Sequence, residues 1–100
     1  MSTENGASAI PEEEKSLTLR KPIKLQDREI KTITLREPTA YEIEQVSKRA
    51  EKSSQGSNIL LISLVSGITE GEIGKMSIRD FNEAMSYVSG FFSNDQKTGS

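Results

Sequence analysis

The spacing of apolar residues changes period at Pro38, and that change restricts the chain to a fold in which a β-hairpin comes first and helices follow. Before Pro38, Leu17, Leu19, Ile23 and Leu25 occupy odd positions while Arg20, Pro22 and Lys24 fall between them. A period of two is that of a strand with one buried face. Pro22 has no N–H to give to a ladder, so this strand is an edge or is broken there. Gln26-Asp27-Arg28-Glu29 supplies a polar turn, and Ile30 to Glu37 reads as the return strand, with Thr32, Ile33, Thr34 and Leu35 prone to β structure. Ile30 and Ile33 have opposite parity, which predicts a bulge or a strand that starts after Ile30.

Beyond Pro38 the pattern Ser/Thr followed three residues later by an acid occurs three times, at Thr39/Glu42, Thr69/Glu72 and Ser77/Asp80. Each is a helix-start signature, because the hydroxyl can accept one of the backbone N–H groups that a first turn leaves unpaired. The first predicts a helix over about 40–52, with Ile43, Val46 and Ala50 on one face. Ser53 to Ser57 breaks it, and a second helix over about 58–68 follows. There Leu61, Leu64, Val65 and Ile68 form a stripe, while Ile59 and Ile62 lie off it and are expected to face outward. A short turn of helix around Glu70 to Lys75 leads to a last helix over about 78–92. On it Ile78, Phe81, Met85, Val88 and Phe92 keep heptad spacing, and Ala84, Tyr87 and Phe91 form a neighbouring stripe. The fold class predicted is α+β: an N-terminal hairpin (17–37) followed by three main α-helices in one domain over 17–92, without internal repeats.

The flanks differ from this body. Residues 1–16 hold only Met1, Ala7, Ala9 and Ile10 as apolar residues and carry Glu4, Glu12, Glu13 and Glu14 against Lys15. They read as a disordered acidic arm with too little burial to offset chain entropy. Residues 93–100 read as a polar tail. The net charge of −2 conceals a reversal of sign, since 17–37 carries Arg20, Lys21, Lys24, Arg28, Lys31 and Arg36 against Asp27, Glu29 and Glu37. With the arm set aside, the folding part is small enough for its core to stabilise it only marginally, so a partner or self-association is expected.

The chain contains no Cys and no His. Thiol and imidazole nucleophile–base pairs and the commonest metal ligands are therefore missing, and neither a catalytic residue, a cofactor nor a metal site is expected. The neighbouring acids Glu12-Glu13-Glu14, Glu42/Glu44 and Glu70/Glu72 lie at solvated or helix-start positions, where the helix dipole favours them and nothing would raise a pKa. Gly67, Gly71 and Gly74 lack the Lys-Ser/Thr terminus of a phosphate loop and read as helix-ending residues. Ser53 to Thr69 is uncharged, but its five serines among 17 residues keep it from filling a bilayer. No basic-then-apolar leader opens the chain, so secretion is not expected. The basic hairpin lacks the aromatic platforms of a nucleic-acid-binding sheet, because Tyr41, Phe81, Tyr87, Phe91 and Phe92 all fall on predicted helices. What remains is apolar helical surface in excess of what one hairpin and one weak helix can cover. It predicts a protein-binding function, with Ile59, Ile62, Tyr87 and Phe91 as candidate partner-binding residues.

Read in order, Lys21-Pro22-Ile23-Lys24, Ile33-Thr34-Leu35-Arg36-Glu37-Pro38-Thr39, Val65-Ser66-Gly67-Ile68-Thr69, Ile73, Met76, Asp80 and Val88-Ser89-Gly90-Phe91-Phe92 form a recognisable series. It resembles the small tail assembly chaperones of contractile-tailed phages of the P2 and Mu type over roughly residues 17–92. The turn Gln26-Asp27-Arg28 departs from that family's hairpin in having no glycine. The resemblance implies a holdase in the cytoplasm of a bacterial host. Such a protein coats the long, apolar, helical tape-measure protein before tail-tube subunits polymerise around it, and it is absent from the finished virion. It also implies the tail tube protein as a second candidate partner, and a longer product made by ribosomal frameshifting in many members. The readings from other classes are a structural tail or baseplate component and a nucleic-acid-binding regulator.

Overall fold

Two antiparallel strands, β1 (Glu14–Lys24) and β2 (Glu29–Arg36), open the computed structural model, which describes residues 14–99 and, for side chains, residues 14–92. Four helices follow: α1 (Ala40–Ala50), α2 (Ser54–Ser66), α3 (Glu70–Ile73) and α4 (Ile78–Gly99). The architecture is the α+β hairpin-then-helices arrangement that the change of period predicts. Residues 1–13 of the expected arm, and the side chains of the expected tail, lie outside the described residues.

The ladder pairs Glu14 with Arg36, Leu17 with Ile33 and Thr18 with Thr32, then resumes with Ile23 opposite Ile30 and Lys24 opposite Glu29. Four residues of β1, Leu19 to Pro22, thus oppose Lys31 alone. The parity conflict between Ile30 and Ile33 is resolved by a bulge, and the bulge sits on β1 around Pro22, where a missing N–H makes continuous pairing impossible. Leu17, Leu19, Ile23, Ile33 and Leu35 all end up buried on one face. The turn closes with the Leu25 N–H donating to the Arg28 carbonyl at 2.8 Å. No non-glycine among the described residues has positive φ, so this turn does not require the glycine it lacks. The hairpin starts at Glu14 rather than Leu17, because ladder bonds are made by backbone and need no apolar side chain.

Thr39 caps α1 through a full capping box, accepting from the Glu42 N–H while Glu42 accepts from the Thr39 N–H. α2 begins at Ser54 instead of near residue 58. Ser53 accepts from the Gly56 N–H at 2.9 Å, and the Ser57 hydroxyl bonds to the Ser54 carbonyl, so the serine run that follows α1 forms the first turn of α2 as well as the break between the two helices. Gly67 ends α2 with φ 76°, a left-handed conformation that glycine adopts without steric cost, and its N–H returns to the Ser63 carbonyl. α4 runs on to Gly99 rather than stopping near Phe92, since polar residues without proline do not terminate a helix.

α2 is the centre of the molecule, in contact with α1, α3, α4 and β2. Leu61, Ile62 and Val65 join Ile73, Phe81, Ala84, Val88 and the inner face of the hairpin in one core. Ile62 is therefore a correction: it is 0 % exposed, not outward-facing. A helix that is apolar all round is one that is enclosed, and α2 is enclosed. The expected heptad of α4 holds in its middle, at Phe81 and Val88, but fails at both ends, where Ile78 is 62 % and Phe92 38 % exposed. Ala84, assigned to the second stripe, is fully buried.

Candidate partner-binding surface

Asp80 fixes where α4 starts against the hairpin. Its amide donates to the Ser77 hydroxyl at 3.2 Å, so Ser77 caps the helix, while its carboxylate is completely buried. Oδ1 accepts the Arg20 N–H at 3.0 Å and Oδ2 the Lys21 N–H at 3.1 Å. These are backbone groups that the β1 bulge withdraws from the ladder, and the carboxylate replaces the missing strand partner. Burial pushes the carboxyl pKa up, but the Arg20 and Lys21 amides, the Ser77 hydroxyl and the Arg20 charge outweigh it, and the net shift is downward.

Three further joints hold the helices. Arg36 at the end of β2 grips Glu42 bidentately at 2.8 and 2.6 Å, and also donates to the Leu64 carbonyl at 3.0 Å, joining β2, α1 and α2. Its guanidinium is the main cause of a Glu42 pKa lowered to about 2. Arg49 of α1 grips Glu70 of α3 at 2.7 and 3.2 Å and lowers its pKa. Arg28 of the turn reaches Glu72 of α3 at 3.2 Å. Both carboxylates of α3 are thus engaged by arginines from elsewhere in the chain.

With α3 and α4 placed this way, their junction leaves a shallow depression of about 100 Å³ lined mainly by apolar residues. Ile73 and Phe81 are buried in it, Ile59 and Met76 are half-buried, and Ile78 stands exposed at its rim beside Gln55. This volume lies between the ~30 Å³ share of one water and the ~150 Å³ that hold a benzene, so it suits a single aliphatic side chain. A wider cleft of about 510 Å³ opens beside Glu14, Arg36, Glu37, Pro38 and Thr39. Charged and polar residues make up most of its lining, and its arginine is already held by Glu42. A second apolar surface lies along α4, where Tyr87 and Phe91 meet edge to face at 5.4 Å with Phe92 following.

Of the four residues singled out in the sequence, Ile59 lines the depression and Ile62 is in the core. Tyr87 packs half-buried against that core, and Phe91 is half-buried as its aromatic partner. They do not form one patch. Thirteen residues of helix separate Ile78 from Phe91, about 20 Å at 1.5 Å per residue. Sequence reasoning missed Met76 and Ile78 as surface residues. The signal for Ile78 was the Ser77 cap, since the first residue of a helix sits at the margin of the body it packs on. Among the described residues no group of three or more acids is placed to hold a metal, and no helix is long and apolar enough to cross a membrane.

The result is a small α+β domain whose charged side chains brace its own elements and which leaves Tyr41, Ile78 and Phe92 as its exposed large hydrophobic residues among those described. The chain belongs to the family described as phage tail assembly chaperone proteins, E, or 41 or 14, whose model matches residues 16–93. That is the family the ordered motifs resemble, and its role is a chaperone's in building the phage tail. No curated protein and no solved structure matches the chain.

Proposed function

We propose that this chain binds the tape-measure protein in the cytoplasm of the bacterial host and keeps it soluble until the tail tube assembles around it. The observation that carries the reading is Ile78, an isoleucine left 62 % exposed at the rim of an apolar depression with Ile59 and Met76. A long apolar helix aggregates when uncovered, and such a depression accepts one anchor residue of a helix laid across it. The aromatic surface at Tyr87, Phe91 and Phe92 offers a second contact about 20 Å away along α4. Ile62 has no part in this contact, being enclosed.

Co-expression with the tape-measure protein of the same phage or prophage tests the proposal. The unaltered chain should hold that protein in the soluble fraction, and Ile78→Lys should release it to the pellet while leaving the chain's own circular dichroism unchanged. Solubilisation that survives Ile78→Lys would remove the depression from the contact. A chain that solubilises no tape-measure protein, or that is found in purified particles, would remove the chaperone–client reading.

A further inference from the structure

The charges around the depression are paired unequally. On α3, Glu70 is bonded to Arg49 and Glu72 to Arg28, and on α4 the Asp80 carboxylate is buried against the β1 amides. The cations bracketing Met76 and Ile78 are Lys75 and Arg79. Both are exposed, and neither has an ion pair among the described residues. Glu83, one turn further along α4, is the one exposed carboxylate near them in sequence. Lys75 stands in the chain between the lining residues Gly74 and Met76, and Arg79 follows the lining residue Ile78, so the segment that borders the depression carries two exposed cations without ion-pair partners among the described residues.

We propose that this site takes an amphipathic helix whose apolar anchor is flanked by Asp or Glu, so that the partner is selected by charge as well as by hydrophobicity. The inference rests on the client reading above and specifies the client segment: an acidic stretch of an otherwise apolar helix. Anchor and flanking acids act on different quantities. The anchor supplies contact area, while Lys75 and Arg79 discriminate between helices of equal apolarity and speed encounter with acidic ones. Exposed pairs of this kind each contribute a factor of about 1.5 to 5 in affinity, so two cations with several acids in reach give roughly a tenfold preference.

The test uses two designed peptides of about 18 residues, long enough to hold a helix in water. They share one leucine stripe and differ only in carrying Glu or Lys at the flanking positions. Fluorescence anisotropy against the full chain should show the Glu peptide bound roughly tenfold tighter, with the difference fading between about 50 mM and about 500 mM salt. Lys75→Glu with Arg79→Glu should reverse the preference, Lys75→Ala with Arg79→Ala should abolish it, and Ile78→Lys should weaken both peptides. Equal binding of the two peptides, binding of neither, or an undiminished preference in the alanine double variant overturns the inference. The outcomes remain separable from the client reading. Equal peptide binding with intact tape-measure solubilisation removes only the charge selection, whereas a retained preference with no solubilisation removes only the tape-measure protein as client.

Discussion

Replacing Asp80 should unfasten the hairpin from α4. The carboxylate is fully buried and accepts one backbone N–H on each oxygen, from Arg20 and Lys21. Hydrogen bonds to a charged group contribute about 1.5–3 kcal/mol each, so the two together amount to about 3–6 kcal/mol gross. Removing the carboxylate also removes its own desolvation cost, and the freed amides belong to exposed residues that water can reach. Asp80→Ala should therefore destabilise the domain by about 3 kcal/mol, at the low end of that range. Asp80→Asn keeps one acceptor but turns an NH₂ toward the other amide, and should cost about 2 kcal/mol. For a domain of this size, either is a large fraction of the ~5–10 kcal/mol available. Urea titration followed by circular dichroism reads the loss, with exposed Arg79→Ala as a control expected to shift by under about 0.5 kcal/mol. Amide exchange adds a local reading: the Arg20 and Lys21 amides should be protected in the parent despite their exposed side chains, and fast in Asp80→Ala. An Asp80→Ala variant as stable as the control, or unprotected Arg20 and Lys21 amides in the parent, would refute the reasoning. The contribution is present above the ordinary carboxylate pKa of about 3.9 and is lost only as pH falls through the lowered value.

The Arg36–Glu42 joint gives a second acid-sensitive term. With the Glu42 pKa depressed to about 2, its stabilisation is complete above about pH 4.5 and disappears between there and about pH 2, and Glu42→Gln should flatten stability over that window in urea titrations. Phe81→Ala removes a ring only 7 % exposed and should cost about 3–5 kcal/mol in chemical denaturation, whereas half-buried Phe91→Ala should cost less stability and more client affinity. The reverse order would mean that the two faces of α4 are exchanged. Ile62→Lys should prevent folding altogether, because an unpaired charge cannot be accommodated at a position 0 % exposed, and a well-dispersed amide spectrum of that variant would contradict the enclosure of α2.

The elements legible in the sequence were those specified by local chemistry. The hydroxyl-then-acid signatures placed the starts of α1, α3 and α4, and the conflict between Ile30 and Ile33 announced a bulge. The bulge falls on the strand that holds Pro22, because the residue without an N–H is where the ladder yields. What escaped was set by neighbours distant in the chain. Asp80 looked like a helix-start acid, and its backbone N–H does meet the Ser77 cap, but its carboxylate serves strand amides 59 and 60 residues away. Ile62 looked exposed because the covering was counted from the hairpin and α1 alone, without α3 and α4 closing round α2. Ile59, Tyr87 and Phe91 are half-buried, the intermediate position that helical spacing gives to residues beside a core-facing stripe. That Ile59 of α2 sits beside the start of α4 while Phe91 lies further along that helix depends on packing, which spacing does not encode.

The bond between β1 and Asp80 also sets an order of events during synthesis. The hairpin leaves the ribosome first, yet the group that satisfies its bulge amides is about 60 residues behind it. At about 5–20 residues per second, this is a wait of roughly 3–12 s. During that interval Arg20 and Lys21 have only water for a partner, and β1 still lacks α4, the helix it packs against. The nascent chain thus passes through a stage in which it exposes the kind of apolar surface that its finished form is proposed to cover on another protein, and α4 ends that stage.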